Sequence, residues 1–76
     1  MERQYSIVLV VEPEVGGYSV LVPALPGCVT HALTVKECVE NAKEAIAAYI
    51  ESLEARGEPV PEESAQLQVL TVRVAA

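Results

Sequence analysis

One long amphipathic segment constrains the fold of this chain more than any other feature. Between Thr34 and Gly57 the apolar residues recur at steps of three and four, which is the period of a helix with one apolar stripe. Thr34 and Glu37 have the spacing of a capping box at its start, and Gly57 followed by Pro59 is typical of a stop. The pattern predicts a helix over residues 35–56 whose apolar stripe needs a surface to pack on.

Three shorter segments rich in β-branched residues precede the helix, and a fourth follows it. Residues 5–12 and 18–22 are separated by turn residues and predict an antiparallel hairpin. Residues 28–32 predict a third strand, and residues 66–74 predict a last one. The order β-β-β-α-β makes the fold class α+β: a small domain with one helix on a mostly antiparallel sheet.

Glycines and prolines define the turns between these segments. Gly17 closes the hairpin, because glycine accepts a positive φ at little cost. Two prolines and a glycine within residues 23–28 make the next loop rigid and non-helical. The residues with a predicted structural role are Gly17, Pro23, Pro26, Gly27, Thr34 and Gly57.

The strand segments carry apolar side chains on both faces. In the first, Ile7 and Leu9 alternate with Val8 and Val10. One helix can cover only one face, and each Val or Leu on the other face forgoes about 1.5–3 kcal/mol of burial. Because such exposed patches usually mark interfaces, we expect a homo-oligomer that uses the free sheet face or a sheet edge. The alternative is a first strand buried at the centre of the sheet.

Charge and composition narrow the function classes. The 76 residues include five basic and eleven acidic side chains, every acid is glutamate, and the net charge is −6. This balance argues against direct nucleic-acid binding, which needs cations to displace the counterions of phosphate, and it suits a basic partner. With no apolar run long enough to span a membrane and no secretory signal, we expect a cytoplasmic protein, free of the membrane, with Cys28 and Cys38 reduced.

Candidates for catalysis are few. His31 is the single histidine, and a nucleophilic pair with Cys28 is conceivable. Strand alternation puts residues 28 and 31 on opposite faces, however, and Cys28 and Cys38 both fit small buried hydrophobes. We therefore predict no catalytic residue, no metal ligand and no cofactor. An enzyme, a small hydrolase or nuclease using His31 or Cys28, is the weakest alternative.

Two adjoining motifs resemble the HicB antitoxin family. The run from Gly17 to Thr30 holds a glycine–aromatic strand and a P-x-L-P-G-C turn, and the run from Thr34 to Ala45 is similar to the family's T-x-x-E-A helix start. The joined motifs are specific, and the likeness covers nearly the whole chain. The chain departs from the family pattern at Ala24, Ala32, Leu33 and Cys38.

The resemblance implies both a fold and a function. The fold would be a reduced ribonuclease H-like core, and the function that of an antitoxin in a type II toxin–antitoxin system. Such an antitoxin would neutralise a small basic mRNA-cleaving toxin by direct protein–protein masking. Many family members carry a C-terminal DNA-binding domain, whereas we expect a single HicB-like domain over residues 1–76 without one. The alternative is an orphan homo-oligomeric scaffold of the same fold with no toxin partner.

For an antitoxin, we place the contact surface on the turn of residues 23–28, the strand after it and the exposed acids of the helix. The side chains expected to bind the partner are Tyr18, Leu25, His31, Glu37 and Glu44.

Overall fold

The computed structural model of the protein describes residues 2–63 and 66–75. Its elements are the strands β1 (Val8–Val11), β2 (Tyr18–Leu21) and β3 (Val29–Ala32), followed by the helix α1 (Val35–Ala55). The antiparallel sheet has the order β1-β2-β3, so β2 is central and β1 and β3 are its edges. The helix packs mainly on β3 and also on β2. This confirms the α+β class, with one helix on one face of an antiparallel sheet.

The start of α1 is capped by side-chain hydrogen bonds. Thr34 has an extended backbone, and its hydroxyl accepts from the Glu37 amide at 3.2 Å. The same hydroxyl donates to the Glu37 carboxylate at 3.0 Å. The negative charge of Glu37 also lies near the positive end of the helix dipole, which stabilises the first turn.

The end of α1 is a Schellman motif. The helix ends at Ala55, one residue before the end expected from the sequence pattern, and Arg56 is the C-cap. Gly57 adopts a φ of 69°, and the Glu58 amide then donates to the Leu53 carbonyl at 2.9 Å. Within residues 2–63 and 66–75 no helix combines the length and the apolarity needed to cross a membrane.

The core lies between the sheet and α1. Strand alternation turns Val20 toward the helix, while Ser19 and Leu21 point away from it. The buried residues other than Leu53 form two clusters, Val20, Ala32, Cys38 and Ala42 in the first and Val22, Leu25 and Cys28 in the second. Ile7 and Ile46 pack against both clusters and join them. Both cysteines are buried and unpaired, so the prediction that they serve as small hydrophobes is confirmed.

The sheet face opposite α1 is uncovered and apolar. This agrees with the prediction that one helix covers only one of the two apolar faces of the strands. Val8, Leu21 and Val29 are successive neighbours across the three strands and form a row on this face. Leu21 and Val29 are exposed. Since β1 is an edge strand, the alternative of a first strand buried at the sheet centre is wrong. We refer to this surface, with Val10, Ser19 and His31 beside the row, as the free sheet face.

The predicted last strand is absent from the part of the chain that the structure describes. Residues 66–74 have no regular secondary structure there, and Val69, Leu70, Val72 and Val74 are 76–92% exposed. The sequence pattern measures the tendency of a segment to form a strand, but a strand also needs a neighbour for its backbone hydrogen bonds. No neighbour pairs with this segment among the described residues, so the order β-β-β-α-β is corrected to β-β-β-α for the single chain.

The β1–β2 hairpin turns through two glycines, of which only one is held in a crowded position. Gly16 and Gly17 have φ values of 83° and 75°. A Cβ on Gly17 would lie 2.8 Å from the Leu33 Cα and closer still to the Ala32 carbonyl oxygen, whereas a Cβ on Gly16 would meet open space. Gly17 is therefore the point where the chain entering the helix passes directly over the hairpin.

Replacing these two glycines by alanine separates backbone strain from crowding. Gly16→Ala should lower the free energy of unfolding by about 1 kcal/mol, the cost of a left-handed conformation for a residue with a Cβ. Gly17→Ala should lower it by about 3 kcal/mol or more, because the hairpin and the β3–α1 connection must also move apart. Urea unfolding of both variants checks this, and equal losses would contradict the close approach.

Candidate functional site

Residues 22–28 form a double turn whose shape follows from its prolines and glycine. The Leu25 amide donates to the Val22 carbonyl at 3.0 Å, and the Cys28 amide donates to the Leu25 carbonyl at 3.0 Å, so two β-turns share Leu25. Proline occupies the second position of each turn, and Gly27, with a φ of 81°, occupies the third position of the second, as in a type II turn. The Val22 amide closes the loop by donating to the Cys28 carbonyl at 3.1 Å.

The double turn directs Leu25 into the core. Leu25 is 0% exposed and belongs to the cluster against which Ile46 and Tyr49 pack. The Tyr49 hydroxyl donates to the Pro26 carbonyl at 2.8 Å and ties the turn to the helix. The expectation that the Leu25 side chain binds a partner is therefore replaced by a structural role, since no partner can reach it on the folded chain.

The other strand residues expected at the site lie on different sides of the sheet. Tyr18 is half-buried on the helix side, between Val11 and Ala32. His31 is exposed on the free sheet face, where its Nε2 lies 3.1 Å from the Gly16 carbonyl oxygen. The structure does not bring Tyr18 and His31 onto one surface, because strand alternation separates them.

The conceivable Cys–His pair is not assembled. Cys28 is buried in the core, and burial raises the pKa of its thiol above the usual value, which disfavours the nucleophilic thiolate. His31 lies on the opposite, exposed face. The sheet therefore separates the Cys28 thiol from the His31 imidazole, so the two do not form a nucleophile and its base.

An exposed acidic stripe runs along α1 and includes both glutamates expected at the site. Its members are Glu37, Glu40, Glu44 and Glu51, and all four are exposed. Their spacings of three, four and seven residues bring them to one side of the helix, away from its buried stripe. In the described part of the chain one ion pair forms, between Arg56 and Glu58 at 3.1 Å, and it lies outside the acidic stripe. Lys36 and Lys43 lie one helical turn before and after Glu40, so the stripe keeps a net negative charge but is not free of nearby cations.

Two members of the acidic stripe, Glu37 and Glu44, lie on the flank of α1 that faces β3. The Asn41 side-chain amide donates to the backbone carbonyl of His31 at 3.1 Å, which fixes this flank of α1 against β3. Glu37 and Glu44 are one helical turn before and after Asn41, so they share this flank. Sequence reasoning missed Asn41, whose only signal was a polar residue inside the amphipathic helix.

An open groove on the other flank of α1 was also missed. It has a volume of about 930 Å³ and separates the helix from the stretch that leads into β1. Its apolar lining includes Tyr5, Ile7, Val39, Ile46, Ala47 and Ile50. The sequence of the helix did indicate it. Val39 and Ile50 flank the buried stripe, so the apolar side of the helix is wider than a three-stranded sheet can cover.

Together, the uncovered apolar face, the acidic stripe and the open groove are features of a small protein-binding module. The described residues place all three features on the same sheet and helix, and they keep Cys28 and His31 apart.

Comparison with known sequences gives the family of this module. Residues 5–74 match the family described as the HicB-like antitoxin of bacterial toxin–antitoxin systems, so the chain belongs to the HicB-like antitoxin family. It is 51% identical to a UPF0150 protein of Thermoplasma acidophilum over 59 residues, which are 78% of this chain and 86% of the relative. It is 39% identical to a UPF0150 protein of Synechocystis over 71 residues, 92% of this chain and 90% of the relative. The resemblance carried by the turn and helix motifs is thereby confirmed.

A pair of leucine substitutions tests the anchoring role of the double turn. Leu25→Ala should lower the free energy of unfolding by about 2–5 kcal/mol, because it leaves a cavity in the core. Leu33→Ala removes the same atoms from an exposed position and should change it by less than about 0.5 kcal/mol. Thermal or urea unfolding measures both, and a Leu25→Ala variant as stable as Leu33→Ala would contradict the anchor.

Proposed function

We propose that this protein neutralises a small basic mRNA-cleaving toxin by covering it, without catalysing a reaction itself. Membership of the HicB-like antitoxin family supports the antitoxin role and, with it, a toxin partner. The acidic stripe is the observation that carries the finer proposal. A ribonuclease needs positive charge to hold RNA phosphates, and a protein with a net acidic surface competes for that same charge.

The contact surface in this proposal combines the acidic stripe with the β3 edge. The backbone groups on the outer side of an edge strand can bind an added strand or loop of a partner. Glu37 and Glu44 beside that edge would attract cations of the toxin and orient it. His31 lies on the same strand and is exposed, so it falls within reach of this contact. Tyr18 is half-buried on the helix side of the central strand, so the proposed contact surface does not include it.

The proposal includes self-association and a cytoplasmic location. The row of Val8, Leu21 and Val29 on the free sheet face is the support for a homo-oligomer, because burying it against a second copy removes apolar surface from water. The support for the location is the pair of free cysteines, which stay reduced in the cytoplasm. An orphan homo-oligomer that has no toxin is the second candidate, and the same apolar row favours it.

Removing charge from the acidic stripe should weaken toxin binding. The probe is a candidate toxin, a small basic protein sought in the reading frame beside this gene, co-expressed and then purified for binding kinetics. The triple variant Glu40→Gln, Glu44→Gln, Glu51→Gln should slow association by about tenfold at low salt, with a smaller difference at high salt. Glu37 is kept because its carboxylate also caps the helix.

The matched control is Glu2→Gln, Glu14→Gln, Glu62→Gln, which removes the same charge from exposed positions outside the stripe. Equal slowing by both triple variants would show that net charge, and not the acidic stripe, attracts the partner. A stable oligomer that forms no complex with the basic protein and fails to rescue growth would favour the orphan scaffold. Ribonuclease activity that is lost in His31→Ala would overturn the non-catalytic proposal.

A further inference from the structure

We infer that residues 66–74 of one copy, here called the C-terminal segment, add as a fourth strand to the β1 edge of a second copy and fill the groove beside α1. The inference deepens the self-association proposed above, on which it rests, and does not depend on toxin binding. Two copies that exchange these segments reciprocally would form a closed, symmetric dimer.

The end of the C-terminal segment has the pattern of a strand with one apolar face. Leu70, Val72 and Val74 fall on one side of an extended chain. The other side begins with Leu67 and Val69 and becomes polar at Thr71 and Arg73, so the one-sided pattern belongs to residues 70–74. The side chains of Leu70, Val72 and Val74 are 76–80% exposed. A strand of this pattern is stable only where its backbone pairs with a sheet edge and its apolar side faces a core.

The β1 edge offers both of these partners. β1 is an edge of the sheet, so one side of its backbone has no paired strand among the described residues. The groove lies between α1 and residues 3–7, which lead into β1, so it adjoins the start of the β1 edge. Its apolar lining includes Ile7, Val39 and Ile50. Its charged lining residues are Arg3, Lys43, Glu54 and Glu63, two of each sign. A strand added beside β1 would direct every second side chain toward α1 and into this groove. The apolar side of the C-terminal segment matches that requirement.

The β3 edge does not offer the same space. The helix packs closely on β3, and the hydrogen bond from Asn41 to the His31 carbonyl holds the two elements together. A strand added there would extend past the helix, with no groove for its apolar side chains. The two edges of the sheet are therefore different, and the β1 edge is the one built to receive the C-terminal segment.

The chain between α1 and the C-terminal segment favours a second copy as the receiver. The Ser6 amide donates to the Glu63 carboxylate at 3.1 Å and the Tyr5 hydroxyl donates to the Pro61 carbonyl, so the chain already reaches the groove rim. Beyond this point the segment leaves its own groove open and lies exposed.

Charge points the same way. Arg73 is the single charged residue of the C-terminal segment, whereas the rest of the chain carries all eleven glutamates. Two copies repel each other through their acidic bodies, but the segment of each is attracted to the body of the other. Exchange of the segments therefore brings together the two parts of the chain whose charges are opposite.

The test compares matched substitutions in the segment and in the groove, measured as oligomer mass by light scattering over a dilution series. Leu70→Glu places a charge on the groove side of the segment, and Thr71→Glu places the same charge on the other side. Val39→Glu blocks the groove, and Val35→Glu alters a similarly exposed valine of α1 that does not line it. Leu70→Glu and Val39→Glu should each raise the dimer dissociation constant about tenfold or more, while Thr71→Glu and Val35→Glu leave it nearly unchanged.

Mixing the two weakened variants separates exchange from other modes of association. A Leu70→Glu chain has an intact groove, and a Val39→Glu chain has an intact segment. The mixture should regain heterodimer, because one functional segment then meets one functional groove. Circular dichroism of each variant alone checks that the helix is intact. Failure of the mixture to dimerise, with both variants folded, would overturn the inference.

Further outcomes distinguish this inference from the proposed function. Dissociation by Val29→Glu but not by Leu70→Glu would leave association through the free sheet face standing and reject strand exchange. A monomeric wild-type protein would overturn the inference. Hydrogen exchange of the amides in residues 66–74 would then show whether the segment is protected in its own groove or lies unprotected. Binding of the basic protein to Leu70→Glu is measured separately and does not decide between these outcomes.

Discussion

The structure depends on the packing of a single helix against one face of a three-stranded sheet. Val20 at the centre of the sheet and Leu25 in the double turn are fully buried against α1, and the remaining core residues surround them. Because the chain has one helix to contribute within its described residues, it can complete only one face. Every surface with functional potential is a consequence: the free sheet face, the open groove and the acidic outer side of the helix.

The two flanks of α1 give the two sheet edges different roles. On the β3 side, Asn41 joins the helix to the strand, and Glu37 and Glu44 lie beside that edge. On the β1 side, the helix stands away from the stretch that leads into the sheet and leaves a groove lined by apolar side chains and by an equal number of acidic and basic ones. A charged edge suits a basic partner, and an apolar edge suits a strand of low charge. The arrangement would let one small domain bind a toxin and a second copy of itself at the same time.

Much of this could be predicted from sequence, because the relevant signals are local. The capping box at Thr34, the stop at Gly57 and the type II turn at Pro26–Gly27 each depend on residues within one or two turns of the chain. The candidate site was predicted less well. Leu25 belongs to the turn motif of the family, but no residue near it in the sequence indicates that it is buried. Its burial depends on Ile46 and Tyr49, which are more than twenty positions away.

The sequence by itself determined the elements and their turns, the buried character of the cysteines and the presence of more apolar strand surface than one helix can cover. It also determined the tendency of residues 66–74 to form a strand. Only the tertiary structure decided that this tendency is not realised within one chain, that Leu25 is part of the core, and that the two edges differ. The reason is that propensity is a property of neighbouring residues, whereas pairing, burial and access depend on which distant parts of the chain come together.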